Sequence, residues 1–200
     1  EITGYPYQAF YFDTLASYDS AYYATLSNAF YARLREARGF LPAGLELGVV
    51  HAYKKYYNFK SLLVPNALDE YHNLALSAYL YRNRAQSLQF RFGGEYALLG
   101  YQQNNFKLSG QVRWPFRLGG KDFELTAQAR YSVQKPSYYW QQYYSNHHIW
   151  DKNLRNETHM LASGSLRSPA THTRLKMDVA MLSRFTHFDS TATPAQLPDD

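Results

Sequence analysis

Polar and apolar residues alternate along much of this chain, most strictly between residues 123 and 134. Every odd position from Phe123 to Val133 is apolar or aromatic, and every even position from Glu124 to Gln134 is polar. Because successive side chains on a strand point to opposite faces, this segment is predicted to be a β-strand with one apolar and one polar face. It is longer than the usual strand of about 5–6 residues, and long enough for the roughly 9–11 residues that a tilted strand needs to cross a bilayer.

Similar alternation predicts seven more strands, at about residues 22–35, 45–54, 71–81, 88–98, 106–114, 154–166 and 175–185. Short connections alternate with longer, tyrosine-rich ones, with the short link 100–104 as an exception. Four longer segments are therefore expected at one end of the strands: residues 1–21, 56–70, 136–151 and 187–200. Short turns on one rim and long extracellular loops on the other are typical of outer-membrane barrels.

The predicted fold is all-β: an antiparallel up-and-down transmembrane β-barrel with about eight long strands in this segment. It forms a single domain or barrel segment over residues 1–200, with loop-like ends at 1–21 and 187–200. The alternative is a soluble β-sandwich, in which the apolar side chains point inward. Strand length, loop asymmetry and aromatic residues near strand ends favour the membrane; these aromatic residues are Tyr22, Tyr53, Tyr71, Tyr101, Trp114 and Trp150.

Composition agrees with a strand-built membrane protein. Of the 200 residues, 20 are tyrosine and 12 phenylalanine, yet 18% are charged, and no apolar run reaches the 18 or so residues of a transmembrane helix. Cysteine is absent, which excludes disulfides and thiolate metal sites. The net charge of +5 is spread through the strands, which argues against a nucleic-acid partner.

The charged residues on the polar sides of the strands are the main candidate site. We predict that they line a lumen: Arg33, Arg35, Glu46, Lys54, Arg91, Glu95, Lys107, Arg113, Glu124, Arg130, Lys176, Asp178 and Arg184. Basic residues outnumber acidic ones, which would favour anions near the wall. The alternative is a ladder of cross-strand ion pairs, in which Arg91, Arg113 and Arg130 face Glu95 and Glu124. The two interpretations do not exclude each other.

The loop after residue 135 is rich in rings that could stack on a sugar or a partner protein. The candidate contact residues are Tyr138, Tyr139, Trp140, Tyr143, Tyr144, His147, His148 and Trp150. His147 and His148 are adjacent, so on an extended chain they point apart and would not easily share one metal ion. We therefore predict no metal site and no cofactor.

Several short segments resemble the outer-membrane "putative porin" family of Bacteroidetes. They are Pro136-Ser-Tyr138, Tyr144-Ser-Asn-His-His-Ile-Trp150, the hairpin with Gly100-Tyr101 and Asn105-Phe106, and the pairs Phe188-Asp189 and Pro194-Ala-Gln196. Members of that family are considerably longer, so the resemblance implies part of a larger barrel in the outer membrane of a Gram-negative bacterium.

Three Asp-Ser/Thr segments resemble sites that Bacteroidetes O-glycosylate outside the cytoplasm, with Thr14, Ser20 and Ser190 as acceptors. Ordinary Asp-Ser turn chemistry is an equal alternative. Asn156-Glu-Thr158 also fits a glycosylation pattern, but it falls on a predicted strand and is discounted.

The predicted function is passive diffusion of small hydrophilic solutes through a porin-like channel, without enzymatic activity. One alternative is a non-conducting scaffold or receptor that binds partners through its tyrosine- and tryptophan-rich loops. A less favoured one is an outer-membrane lipid hydrolase, because His159 and Ser163 lie on one face of a predicted strand. The expected partners are membrane lipid, small solutes and other outer-membrane proteins.

Overall fold

The computed structural model describes residues 9–15, 17, 19–36, 43–58, 68–84 and 87–198. Almost all of its regular structure is strand. In chain order, the strands are β1 (Tyr22–Leu34), β2 (Gly44–Tyr57), β3 (Leu68–Arg82), β4 (Gln89–Leu99), β5 (Phe106–Leu118), β6 (Lys121–Gln134), β7 (Gln142–Tyr144), β8 (Ile149–Asp151), β9 (Glu157–Ser168), β10 (Thr173–Ser183), β11 (Thr186–Phe188) and β12 (Pro194–Gln196). The helix α1 (Tyr138–Gln141) precedes β7, and a short 3-10 turn (Pro169–Thr171) follows β9.

The eight long strands form one antiparallel sheet in the order β1-β2-β3-β4-β5-β6-β9-β10. Each long strand pairs with the next long strand along the chain, so the sheet is an up-and-down meander. The predicted all-β, antiparallel fold is confirmed. Within the described residues, β1 and β10 are the two edges of an open sheet and do not pair with each other.

Strand register turns the sequence alternation into two continuous faces. Phe30, Val49, Leu76 and Tyr96 lie opposite one another on successive strands, and we call their side of the sheet the apolar face. The other side carries rows such as Glu95, Lys107, Ser132 and His159, and we call it the polar face. One irregularity, between Leu74 and Ala75 in the pairing of β3 with β4, shifts the register locally.

The apolar face is uncovered. Phe30 is 83% exposed, Met177 70% and Leu175 67%, whereas a β-sandwich would bury such side chains between two layers. The only other sheets among the described residues are the two-stranded ribbons β7–β8 and β11–β12. The sandwich alternative is therefore not supported, and the exposed apolar surface requires a non-aqueous neighbour.

Aromatic side chains border the apolar face at both ends of the strands. Tyr22 stacks on Tyr57 at one end, with ring centroids 5.0 Å apart, and Phe116 stacks on Phe123 at the other, at 5.7 Å. Along β6, Phe123 and Tyr131 are eight residues apart, or about 27 Å at the usual rise per residue. Such spacing matches the apolar band and aromatic girdles of membrane barrels.

The aromatic residues predicted at strand ends divide between two environments. Tyr22, Tyr53 and Trp114 lie on the apolar face. Tyr71, Tyr101 and Trp150 instead pack among loop side chains or on the polar side, so their interpretation as girdle residues is wrong. Where polar and apolar residues no longer alternate strictly, the position of a residue near a strand end does not show on which face of the sheet its side chain lies.

The longer connections meet at one end of the sheet, as their alternation with short turns predicts. The described parts of residues 9–21, 135–156 and 184–198 all adjoin the ends of β2, β4, β6 and β10. Here lies the cluster of buried tyrosines, Tyr56, Tyr101 and Tyr138, flanked by Tyr71 and Tyr139. The largest buried aromatic cluster among the described residues is therefore beneath the loops and not between sheet faces.

Some predicted loops contain regular structure. Residues 136–151 include α1 and the β7–β8 hairpin, and residues 186–198 include β11 and β12. Pro194 opens β12, at a ribbon edge where its missing N–H is tolerated. Residues 1–8, 16, 18, 37–42, 59–67, 85–86 and 199–200, with the loop predictions that fall on them, lie outside the described residues. In the part of the chain that is described, no helix has the length and apolarity to span a membrane.

Candidate functional site

The polar face gathers most of the charged residues predicted to line a lumen. Strand register places on it Arg33, Glu46, Lys54, Arg91, Glu95, Lys107, Arg113, Glu124, Arg130, Lys176 and Asp178. They share this face because, within each strand, they alternate with the apolar residues and therefore point to the opposite side of the sheet. That the face lines a water-filled lumen remains a prediction.

Two predicted lumen residues lie beyond the strands. Arg35 follows β1, which ends at Leu34, and Arg184 follows β10, which ends at Ser183. Arg184 has a φ of 56°, and its backbone carbonyl accepts a hydrogen bond from the side-chain amide of Gln196. The left-handed backbone breaks the alternation at Arg184, so the predicted strand bound of residue 185 is wrong, while a lumen-lining role for Arg184 stays a prediction.

Glu46 is the centre of a charge cluster on the polar face, with Arg33 and Arg91. Its side chain is 4% exposed and accepts from Arg33 Nε at 2.5 Å and from Arg91 Nη2 at 2.7 Å. Both arginines are more exposed than Glu46, so each reaches inward across the strands to compensate the buried carboxylate. The cluster joins β1, β2 and β4.

A second set of contacts continues this cluster towards β5. The guanidinium of Arg91 lies 4.2 Å from the ring centroid of Tyr79, and the Tyr79 hydroxyl donates to Glu95 at 2.8 Å. Lys107 Nζ lies 3.5 Å from the same Glu95 carboxylate. These contacts support the ion-pair interpretation of the polar face for β1 to β5.

The predicted partners of Arg91, Arg113 and Arg130 are correct in one case. Arg113 pairs with Glu124 at 2.6 Å, because the two residues are diagonal neighbours on β5 and β6. Arg91 forms its ion pair with Glu46 and not with Glu95 or Glu124. Arg130 forms neither an ion pair nor a hydrogen bond with any residue that the structure describes.

The loop that contains α1 is anchored on the loop end of the sheet through tyrosine side chains. The Tyr138 ring stacks on Tyr56 at 4.3 Å, and its hydroxyl hydrogen-bonds to Asp69 and Gln142. The Tyr101 hydroxyl donates to the Pro136 carbonyl at 2.8 Å. Burial raises the pKa of Tyr138, with Asp69 adding to the rise, and burial also raises the pKa of Tyr101. Both phenols are therefore neutral donors at neutral pH.

Asn146 ties the N-terminal segment to this loop. Its Oδ1 accepts from the backbone N–H groups of Phe12 and Asp13, at 2.9 and 3.0 Å, and its Nδ2 donates to the Asp13 carbonyl at 2.8 Å. Its Nδ2 also donates to Ser17 Oγ at 2.9 Å, and its own N–H donates to Asp19 at 2.8 Å. Asn146 is 2% exposed, so these bonds replace the water it has lost.

None of the eight predicted loop-contact residues is fully exposed. Tyr138 and Trp150 are buried, and the others, Tyr139, Trp140, Tyr143, Tyr144, His147 and His148, are half-buried. The Trp150 ring stacks on Tyr143, and Trp140 packs on Phe188. His147 contacts Ser17 and the Ala9 carbonyl. These rings thus pack within the chain to a large extent, while contact with a partner stays a prediction.

His159 and Ser163 share the polar face but not a hydrogen bond. They are four residues apart on β9, a distance of about 13 Å along a strand, and His159 Nε2 instead lies 3.1 Å from Glu157. A serine nucleophile needs its base within hydrogen-bonding reach, so the geometry argues against the hydrolase alternative. Across the described ranges, no group of three or more candidate ligands could hold a metal ion.

The three Asp-Ser/Thr segments lie in loops, with Thr14, Ser20 and Ser190 exposed. Asp13 accepts from the Leu15 N–H at 2.7 Å, and Asp189 accepts from Thr191 and Thr193. The hydrogen bonds from Thr191 and Thr193 hold the pKa of Asp189 well below its usual range. The aspartate side chain thus accepts the hydrogen bonds of a local turn in two of the three segments. O-glycosylation remains a prediction. Asn156 precedes β9 and is not within it.

Sequence reasoning missed the residues that anchor the loops. Tyr56 and Tyr71 occupy the same alternate positions as the polar residues of their strands. This signal in the sequence could have placed both tyrosines on the polar face. Asn146 carries no such signal, because its partners lie more than 120 residues away along the chain.

A comparison with protein families matches residues 3–200 to the family described as "Putative porin". No curated protein and no solved structure matches the chain. The Bacteroidetes origin implied by the resemblance stays a prediction.

Proposed function

The chain belongs to the "Putative porin" family, and from that premise we propose that it forms part of an outer-membrane β-barrel through which small hydrophilic solutes diffuse. The observation that carries the proposal is the two-faced sheet of long strands, in which one continuous face is apolar and exposed while the other is polar. Passive diffusion requires only such a wall, and no catalytic group, cofactor or nucleic acid.

In this proposal the apolar face contacts membrane lipid and the polar face contacts water. A lipid environment removes the cost of exposing side chains such as Phe30 and Leu175, and a water-filled interior solvates the charged clusters around Glu46. The host is a Gram-negative bacterium, and the long connections face outward. Other outer-membrane proteins are further candidate partners.

The loop that contains α1 narrows one entrance in this arrangement. It stacks on Tyr56 and reaches the Tyr57 carbonyl through the Tyr139 hydroxyl at 3.0 Å. A loop held by a buried tyrosine cluster would define the width of the mouth without closing it. Solutes would pass between this loop and the polar face.

The test is conductance of the complete protein in planar lipid bilayers. We expect discrete single-channel steps, with heat-denatured protein and empty detergent as controls. Proteoliposomes should also admit small sugars faster than large ones. An absence of both steps and sugar influx would contradict the proposal and favour the scaffold or receptor alternative.

The receptor alternative needs rings that are available to a partner. The loop rings instead contact one another and the sheet, as Trp150 does with Tyr143 and Tyr138 with Tyr56. The diffusion channel is therefore the better-supported function.

A further inference from the structure

The polar face contains a hollow of about 550 Å³ over β3, β4, β5, β6, β9 and β10. Its polar lining includes Arg91, Lys107, Gln111, Gln128, Arg130 and Ser163. This volume lies within the range of sites for small organic molecules, about 300–1,000 Å³. The hollow is thus large enough to receive one small solute.

Arg130 is the one cation of this hollow that has no partner among the described residues. Arg91 is compensated by Glu46 at 2.7 Å, and Lys107 lies 3.5 Å from Glu95. Arg130 is exposed and has no ion pair or hydrogen bond with the described residues. Its guanidinium therefore keeps all five N–H donors available, in the planar geometry that suits carboxylate and phosphate groups.

Neutral hydrogen-bonding groups lie beside this cation in a regular row. Gln111 is opposite Gln128 on β6, and Gln128 is opposite Ser163 on β9. Arg130 follows Gln128 by two residues on the same face, a separation of about 7 Å. A solute of a few carbon atoms could therefore contact the guanidinium at one end and the amide row at the other.

The charges around the row limit which solute fits. Lys107 is a diagonal neighbour of Arg130 on the β5 side, because Arg130 lies opposite Ser109. Asp178 lies opposite Ser163 at the other side of the hollow and is paired with Lys176 at 2.8 Å. An anionic group is thus favoured near Arg130 and disfavoured near Asp178, where hydroxyl groups can bind instead.

We propose that this hollow is a subsite for small polyhydroxylated anions, with a carboxylate or phosphate on Arg130 and hydroxyl groups on Gln111 and Gln128. The proposal rests on the diffusion function above and adds its solute class. The Arg130 guanidinium attracts the anion, and the amide groups of Gln111 and Gln128 retain solutes that carry hydroxyl groups. A neutral sugar has only the second set of contacts.

The test compares influx of gluconate and of glucose into proteoliposomes that hold the complete protein. Arg130→Gln should lower the ratio of gluconate to glucose influx about fivefold, the size expected for one charge-assisted contact in a wet site. Arg130→Lys keeps the charge without the planar fork and should retain part of the ratio.

Arg117→Gln is the matched control, because Arg117 shares the polar face but pairs with Asp122 at 2.6 Å near the short-turn end. It should leave the ratio near that of the unmodified protein. The subsite would be overturned if Arg130→Gln left the ratio of gluconate to glucose influx unchanged, or if Arg117→Gln lowered that ratio equally. Glucose influx in the same experiments would still support the channel. No influx of either solute through the unmodified protein would overturn the channel itself.

Discussion

At the scale of single residues, the polar face depends on close packing around Tyr79. A Cβ added at Gly93 would lie 2.6 Å from Tyr79 Cδ1 and 2.7 Å from its Cα. The same tyrosine supports Arg91 through its ring and Glu95 through its hydroxyl. Glycine at position 93 therefore lets the Tyr79 side chain hold two charged neighbours in place.

Gly93→Ala should destabilise the sheet, because the added methyl group meets backbone and ring atoms that cannot easily move. We expect the free energy of unfolding to fall by about 1–3 kcal/mol, the usual cost of overpacking, measured by urea titration in detergent micelles. Gly164→Ala is the control, since a Cβ there meets no atom within 4 Å. Equal effects of the two substitutions would contradict the packing argument.

At the scale of elements, the loop that contains α1 and the N-terminal segment form one unit. Their connection passes through Asn146, which receives two backbone N–H donors and donates to Asp13 and Ser17. Because buried polar groups without partners are costly, the Asn146 side chain is a main link of this unit, beside the contacts of His147 with Ser17 and the Ala9 carbonyl.

Asn146→Ala should release the N-terminal segment from the loop. Removing the amide leaves the Phe12 and Asp13 N–H groups without their acceptor, so we expect protease cleavage within residues 9–19 to become at least about tenfold faster, as a loss of 1–3 kcal/mol implies. Asn153→Ala is the matched control, because Asn153 is exposed in the same loop region. Similar cleavage rates in the two variants would refute the role of Asn146.

At the scale of the whole molecule, the two edge strands of the sheet, β1 and β10, bear on whether the barrel wall is closed. Every residue of β1 and of β10 is exposed, and among the described residues each of these strands pairs on one side only. Unpaired strand edges are not tolerated in lipid. If the eight strands closed on themselves, side chains would fill the interior, which would oppose diffusion. The proposed diffusion channel therefore predicts that further strands complete the wall.

Cysteine cross-linking tests this inference in a chain that has no natural cysteine. Ala29→Cys combined in turn with Lys176→Cys, Asp178→Cys or Ala180→Cys should give no intrachain disulfide under oxidation, because β1 and β10 are held apart by other strands. Ala129→Cys with Ala162→Cys joins directly opposed residues of β6 and β9 and is the positive control. Efficient β1–β10 cross-linking would show a closed eight-stranded barrel.

Local pattern by itself determined the strands and the faces of most charged residues. Strict alternation from Phe123 to Gln134 assigns each side chain to a face without knowledge of its neighbours, because the period of a strand is two. The same rule placed Glu46, Arg113 and Arg130 on one surface. It was insufficient at Arg184, where a left-handed backbone ends the alternation.

Only the tertiary structure decided which residues meet. Arg91 pairs with Glu46 across β3, Tyr138 enters the cluster of Tyr56, and Asn146 binds residues at the beginning of the chain. These contacts depend on strand register and loop paths, which arise from many weak interactions between distant segments. Alternation therefore specified the two faces of the sheet, whereas register left Arg130 without an ion pair among the residues that the structure describes.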